Sequence, residues 1–238
     1  MVEPAYLALA DVLHARLAAM DPGDRLPSEH ELVAVHGVSR LTARAALQEL
    51  EGRLLVRRVR GAGTFVVRRV DYPIGPSMSP STTEMIVRGG GRPGSRLLSV
   101  RTRKPLADVR DALDLDVDER VVTVTRAGQI DDLPAWYGTS HLPLDLVEGL
   151  AEHLADGVSI VSTLRDRFGI VQRRRWARAE LVVVPAEVAP HLGVEGRPLV
   201  WRLEICSHDR SLGRPVQLAQ SWMRVDMCRV RFELDEAN

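Results

Sequence analysis

The chain is almost without lysine: Lys104 is the only one among 32 basic residues, and the rest are arginine. That bias is what a GC-rich genome favours, and it says little about mechanism. Cysteine is equally scarce. Cys206 and Cys228 are the only two, too few for a disulfide framework, and the expected compartment is a reducing cytoplasm. No apolar run approaches the ~20 residues that cross a bilayer, so no membrane association is expected. Glu3, Asp11, His14 and Arg16 interrupt the first twenty residues, which argues against a secretory signal there. Net charge is also missing, with 32 basic residues against 32 acidic ones. Taken alone, that neutrality counts against a nucleic-acid binder.

The 238 residues suffice for one or two globular domains, and a 45% hydrophobic, 27% charged composition provides an ordinary core. The neutral average hides a local excess. Between Ser39 and Arg69 lie eight arginines (40, 44, 53, 57, 58, 60, 68 and 69) against Glu49 and Glu51. A solvated charged face would give the same count, so the pattern around the arginines has to decide.

Ala5–Ala19 has the spacing of an amphipathic helix, with Leu9, Val12, Leu13 and Leu17 on its apolar side. Asp21-Pro22-Gly23-Asp24 breaks it. Ser28 with Glu31 three residues on is a capping box for a second helix. Leu32, Val33 and Val35 form its expected buried side, and Gly37 ends it. Ser39 caps a third helix reaching about Glu51. On it Ala43, Leu47, Leu50 and Leu54 fall on one face, and Arg40, Arg44 and Gln48 on another. An apolar stripe that docks the helix, opposite long donors that face outward, suits a helix placed in the DNA major groove. Leu54–Val59 and Thr64–Val67 then alternate as two short strands around Arg60-Gly61-Ala62-Gly63, a glycine-rich hairpin turn whose tip suits a minor groove.

The stretches Gly23–Glu29, Val38–Leu47 and Gly61–Val66 resemble, in order and spacing, the GntR family of bacterial regulators. The resemblance implies a winged helix-turn-helix over residues 1–70. It places DNA contacts on Ser39, Arg40, Thr42, Arg44 and Gly61; Ser28, Gln48, Arg60 and Gly63 extend this candidate set by position. Where the family has an arginine after Ser-Glu, this sequence has His30, so the contact there is expected to be weaker, pH-sensitive or missing.

Residues 71–81, rich in proline, serine and glycine, are expected to be an inter-domain linker. Strands are expected at 97–103, 121–130, 134–142, 172–184, 199–208, 215–223 and 230–234, and helices at 109–113, 146–153, 159–168 and 186–191. The short turn at Asp131-Asp132-Leu133 pairs two of those strands as an antiparallel hairpin. The expectation for residues 82–238 is an α+β domain with a mostly antiparallel sheet. Asp132-Leu133-Pro134, His141-Leu142-Pro143, Ser159-Ile160-Val161 and Gly213-Arg214-Pro215-Val216 resemble the effector (UTRA) domain of the HutC branch, which implies a chorismate-lyase-like fold. Asp71–Ile74 and Leu97–Val100 look most like PhnF-type regulators of phosphonate or phosphate uptake.

In HutC-type regulators that bind phosphorylated sugars, two arginines one residue apart grip the phosphate. By resemblance Arg126 is the first, and Gly128 stands where the second would be. An anion held by one arginine, hydroxyls and helix N-termini is the expected effector. Thr82, Thr83, Ser140, Ser159, Glu180 and Arg224 are the further candidates by position, each equally readable as a cap or surface residue.

An enzyme is the first rival, because Ser207-His208-Asp209 looks like a catalytic triad. Consecutive strand residues face opposite sides, so these three cannot form a relay. Cys206 and His208 share a face, but no further ligand sits at metal-binding spacing. Gly89-Gly90-Gly91 lacks the lysine and hydroxyl of a phosphate loop. The sequence calls for neither a cofactor nor a metal. The second rival, a purely structural DNA binder, leaves the large C-terminal domain without a purpose. Arg173-Arg174-Arg175 is read as a charge-protected sheet edge. The implied protein is a homodimeric transcriptional repressor on palindromic double-stranded operator DNA, modulated by a small, anionic, phosphate- or phosphonate-like effector. The alternative is a regulator of sugar or amino-acid catabolism with a non-phosphate effector.

Overall fold

A computed structural model describes residues 4–59, 61–75 and 80–233. The chain divides into two compact units, Met1–Arg69 and Val70–Asn238.

In the N-terminal unit α1 (Ala5–Leu17), α2 (Glu29–His36) and α3 (Arg40–Gly52) precede a hairpin of β1 (Val56–Val59) and β2 (Gly63–Val66). The caps fall where the sequence put them. The Ser28 side chain accepts from the Glu31 amide while Glu31 reaches back to the Ser28 amide, and Gly37 closes α2 in the left-handed conformation. Ser39 accepts from the Thr42 amide at the start of α3. Leu9, Leu13, Leu26, Leu32, Ala43, Ala46, Leu47 and Leu50 form one core. Residues 23–26 bond to β2 and give the hairpin a short third edge.

Three apolar positions differ from expectation. Val12 and Val35 are exposed, so α1 and α2 bury narrower stripes than their periodicity allows. Leu54 lies beyond the end of α3 with φ of 59°, turning the chain into β1 instead of extending the helix face.

The C-terminal unit is built on a six-stranded antiparallel sheet in the order β4-β5-β6-β9-β8-β7. Its strands are β4 (Pro93–Arg103), β5 (Val121–Ile130), β6 (Leu133–Pro143), β7 (Gln172–Val183), β8 (Leu199–Asp209) and β9 (Arg214–Arg224). Asp131 and Asp132, both at positive φ, form the two-residue turn between β5 and β6. Helix α6 (Ile160–Phe168) packs Ile160 and Leu164 against Val122, Val124 and Leu142 of the sheet. The shorter helices are α4 (Thr82–Arg88), α5 (Ala107–Ala112) and α7 (Ala189–Leu192).

The expected helix at 146–153 is two short 3-10 turns separated by Gly149, which sits at positive φ. Of the expected helix at 186–191, only the single turn of α7 forms. The larger difference concerns the segment read as a linker. Val70–Ile74 is a strand, β3, paired in parallel with β10 (Cys228–Phe232), and so belongs to the C-terminal unit. The Pro73 that suggested irregular chain is tolerated because β3 has a strand on one side only. Residues 76–79 of that segment, and Leu234 of the last expected strand, lie outside the described residues.

Candidate nucleic-acid interface and cavity

On α3 the side facing away from the core presents Arg40, Arg44 and Gln48, all exposed, as the helical spacing required. Ser39 is exposed at its cap, and Thr42, half-buried, shares a hydrogen bond with the Ser39 hydroxyl. His30 is exposed on α2. Gly61, at φ of 77°, occupies the hairpin turn. Gly63, at φ of 129°, also sits in the region that favours glycine, and a Cβ there would press on the Arg25 side chain at 2.8 Å. Arg60 lies outside the described residues.

What organises these arginines has no local signature in the chain. Glu29, the first residue of α2, accepts from Arg44 through both carboxylate oxygens: Nε donates to Oε1 at 3.0 Å and Nη2 to Oε2 at 3.1 Å. Arg58 of β1 donates to the same carboxylate at 3.1 Å, and Arg40 lies 3.7 Å away. These partners, Arg44 first, hold the Glu29 carboxyl below the usual carboxylate range against the opposing effect of its partial burial. The bidentate pair occupies one side of the Arg44 fork. The end of the fork, bearing Nη1, remains available for a two-point contact with a guanine edge.

In the C-terminal unit β3, β5, β6, β7, β8, β9 and the start of α6 enclose a cavity of about 110 Å³. Arg126, Thr82, Thr83, Ser140 and Ser159 all line it. Ser159 caps α6, accepting from the Ser162 amide. The Arg126 guanidinium donates to the Val158 carbonyl at 2.9 Å and lies 5.5 Å from the centroid of Trp136. Burial pulls its pKa down to about 10, which leaves it charged at neutral pH.

Two expected residues are elsewhere. Glu180 is exposed near the far end of β7, beyond a register shift between Arg174 and Trp176, and pairs with Arg202. Arg224 is buried but committed to structure: it makes a two-point ion pair with Asp226 and donates to the Pro134 carbonyl. Neither lines the cavity.

Gly128 now has a steric reason. A Cβ at that position would lie 2.0 Å from the Trp136 indole, its cross-strand partner. The space a second arginine would need on β5 is filled by Trp136. A second guanidinium nevertheless reaches the cavity from another strand, as Arg174 of β7. In sequence Arg174 belongs to the run 173–175, expected as a charge-protected sheet edge. β7 is indeed the sheet edge, and Arg175 is exposed, but strand alternation turns Arg174 to the opposite face. Tyr72, Gln172, Ser207 and Gln217 were also missed. Gln172 donates to Gln217, and Gln217 to Ser140, in a buried chain at 2.5 and 2.8 Å.

Among the described residues, two arginines and no aspartate or glutamate line the cavity. Two buried donors in its wall, Trp136 Nε1 and Arg174 Nε, lack hydrogen-bond partners. The cavity is therefore cationic and rich in donors, suited to a ligand that brings acceptor oxygens and negative charge.

The Ser207-His208-Asp209 run does no chemistry of the triad kind. The Asp209 carboxylate is taken up by the amides of Val171, Ser211 and Leu212.

Comparison with known proteins agrees with both halves. Residues 5–66 match the family of bacterial regulatory proteins, gntR family, and residues 88–229 match the UTRA domain. The uncharacterized HTH-type transcriptional regulator YurK of Bacillus subtilis is 28% identical over 200 residues, spanning 79% of this chain and 78% of its own. The HTH-type transcriptional regulator GgaR of Escherichia coli K12 is 26% identical over 226 residues, 94% and 88% of the respective chains. The crystal structure of PhnF from Mycobacterium smegmatis superposes with a TM-score of 0.66 at 26% identity, covering 96% of this chain and 98% of that one. The matched relatives are transcriptional regulators, not enzymes. The chain belongs to the GntR family of bacterial transcriptional regulators, in the HutC-type branch that joins a helix-turn-helix to a UTRA domain.

Proposed function

We propose that the protein is a cytoplasmic transcriptional repressor. It binds a palindromic operator as a homodimer and responds to a small phosphate- or phosphonate-like anion held in the C-terminal cavity. The observation that carries the effector reading is the pair of arginines, Arg126 and Arg174, in a wall without an acidic side chain among the described residues. The resemblance to PhnF-type regulators supports the same class of ligand. Dimerisation follows from recognition: one α3 reads only a few base pairs, and two half-sites supply the missing affinity. To switch the protein, the effector must favour one of its operator-binding states over the other by roughly 1–3 kcal/mol.

The test is thermal-shift screening of the purified protein against phosphate, phosphonates, sugar phosphates and amino-acid catabolites, repeated with Arg126→Ala. A ligand of the native state raises the melting temperature by mass action. Stabilisation by phosphate or a phosphonate in the wild type, lost in the variant, is the expected result. A response confined to uncharged compounds would overturn the anionic reading and leave the DNA-binding regulator intact.

A further inference from the structure

Arg174, like Arg126, is held by a backbone carbonyl and an aromatic ring, but its partners lie on a different kind of element. Its Nη1 donates to the Pro73 carbonyl, and its guanidinium lies 5.5 Å from the centroid of the Tyr72 ring. Both partners are on β3, whose only sheet neighbour among the described residues is β10. A two-stranded parallel ladder is weak by itself, so contacts from outside it carry much of its order. Val70, at the start of β3, is the first residue of the C-terminal unit, and Arg69 is the last of the DNA-binding unit. Tyr72 and Arg174 both line the cavity, and Arg174 Nε is buried there without a partner.

Resting on the anionic-effector reading above, we infer that Arg174 is the second anion-binding residue of the cavity and that it meets the ligand by giving up its hold on β3. Trp136 denies β5 a second arginine beside Arg126, and Arg174 supplies that charge from the edge strand β7. The ligand class follows from charge. Two guanidinium groups with no acid among the described lining residues match a small dianion that offers oxygens on two faces, such as phosphate, a phosphonate or a short dicarboxylate. A monoanion leaves one partly buried cation unmatched. The regulatory consequence is that filling the cavity loosens the strand that leads out of the DNA-binding unit.

The test uses the full chain with inorganic phosphate as the probe, and methylphosphonate and succinate as alternatives. Calorimetric titration is combined with hydrogen exchange at the amides of Val70, Asp71, Tyr72 and Ile74. In the wild type, saturating phosphate speeds exchange across β3. Arg174→Gln weakens phosphate binding by about tenfold or more, since a hydrogen bond to a charged group is lost. The same variant exchanges fast at β3 with or without phosphate. Arg174→Lys keeps the charge but loses the fork, and binds several-fold more weakly than the wild type.

Unchanged β3 exchange in phosphate-saturated wild type overturns the transmission whatever the variants do. Wild-type affinity in both Arg174 variants overturns the ligand role of Arg174. If Arg126→Gln abolishes binding in that case, the anionic effector survives and only this inference falls. If none of the three anions binds the wild type, the anionic reading fails and this inference fails with it.

Discussion

In the N-terminal unit one carboxylate, Glu29, gathers Arg40, Arg44 and Arg58 at an open surface. In the C-terminal unit Arg126 and Arg174 face a cavity whose described lining contains no carboxylate at all. The two arrangements suit two kinds of partner. DNA presents a broad, fixed array of phosphates and base edges, so arginines proposed to read it gain from being oriented in advance by an internal acid. A small effector must supply the countercharge itself, and an internal acid would compete with it. Counting arginines does not separate the two units; the position of the nearest acid does.

The sharpest break between the units is Arg44→Ala. Each bidentate arginine–guanine contact is worth roughly 1–3 kcal/mol of discrimination, and a dimer makes it twice. Operator affinity is therefore expected to fall by about thirtyfold or more, toward the non-specific level. Because Arg44 is half-exposed, circular dichroism should match the wild type and the melting temperature should fall only slightly, through loss of the Glu29 pair. Fluorescence anisotropy with operator and scrambled duplexes checks both halves. Retained preference for the operator would remove α3 from the reading role.

Acid should separate the units in a different way. His141 is buried on β6, hydrogen-bonded to Thr123 at 3.1 Å, and burial pushes its pKa from 6.5 down to about 4. A histidine held neutral in the fold contributes stability that is complete above its unfolded value. That stability is lost as pH falls from about 6.5 toward 4, up to ~3 kcal/mol across the window. Glu29 has a lowered pKa, so its contribution persists above the ordinary carboxylate range and disappears only in stronger acid. All four tryptophans (136, 176, 201 and 222) lie in the C-terminal unit, so their fluorescence reports on that unit alone. Its melting temperature should drop between pH 6.5 and 5, and His141→Gln should flatten the drop. An equally steep drop in the variant would assign the acid sensitivity to other groups.

How legible the molecule was in its sequence also differs between the units. In the head, recognition rests on local signals, and Ser28, Glu31, Gly37 and Ser39 all cap where their spacing placed them. The pairing of Glu29 with Arg44 spans 15 residues and depends on the packing of α2 on α3, which no local pattern encodes. In the C-terminal unit most strands and the hairpin at 131–133 could be read from alternation and turn residues, but the order of strands in the sheet, and the parallel pairing of the last one, could not. The cavity could be read only in part, because its wall is assembled from strands far apart in the chain. Arg126 was found through its resemblance, whereas Arg174 was hidden in a run of three arginines. Its facing depends on the phase of β7, and a register shift immediately after it makes that phase hard to count. The strand at 70–74 was missed for a related reason. Its partner among the described residues, β10, lies some 158 residues away, as the Arg229–Asp71 ion pair between them records.

The smallest expected effect bears most directly on the difference between the units. Glu29→Gln removes the charge that collects three arginines while keeping the side chain's length and one acceptor. If Glu29 orients Arg44 for base reading, its loss frees the guanidinium to seek phosphates indiscriminately. The variant also carries one more net positive charge on the surface of α2 and α3, which favours non-specific DNA binding and steepens its dependence on salt. The ratio of operator to non-specific affinity should fall by about tenfold, within the range of one imperfect base contact, while affinity for scrambled DNA holds or rises. Competition binding at two salt concentrations reads both quantities. An unchanged ratio would mean that the carboxylate merely neutralises the surface, and the contrast between an acid-organised head and an acid-free cavity would lose its functional meaning.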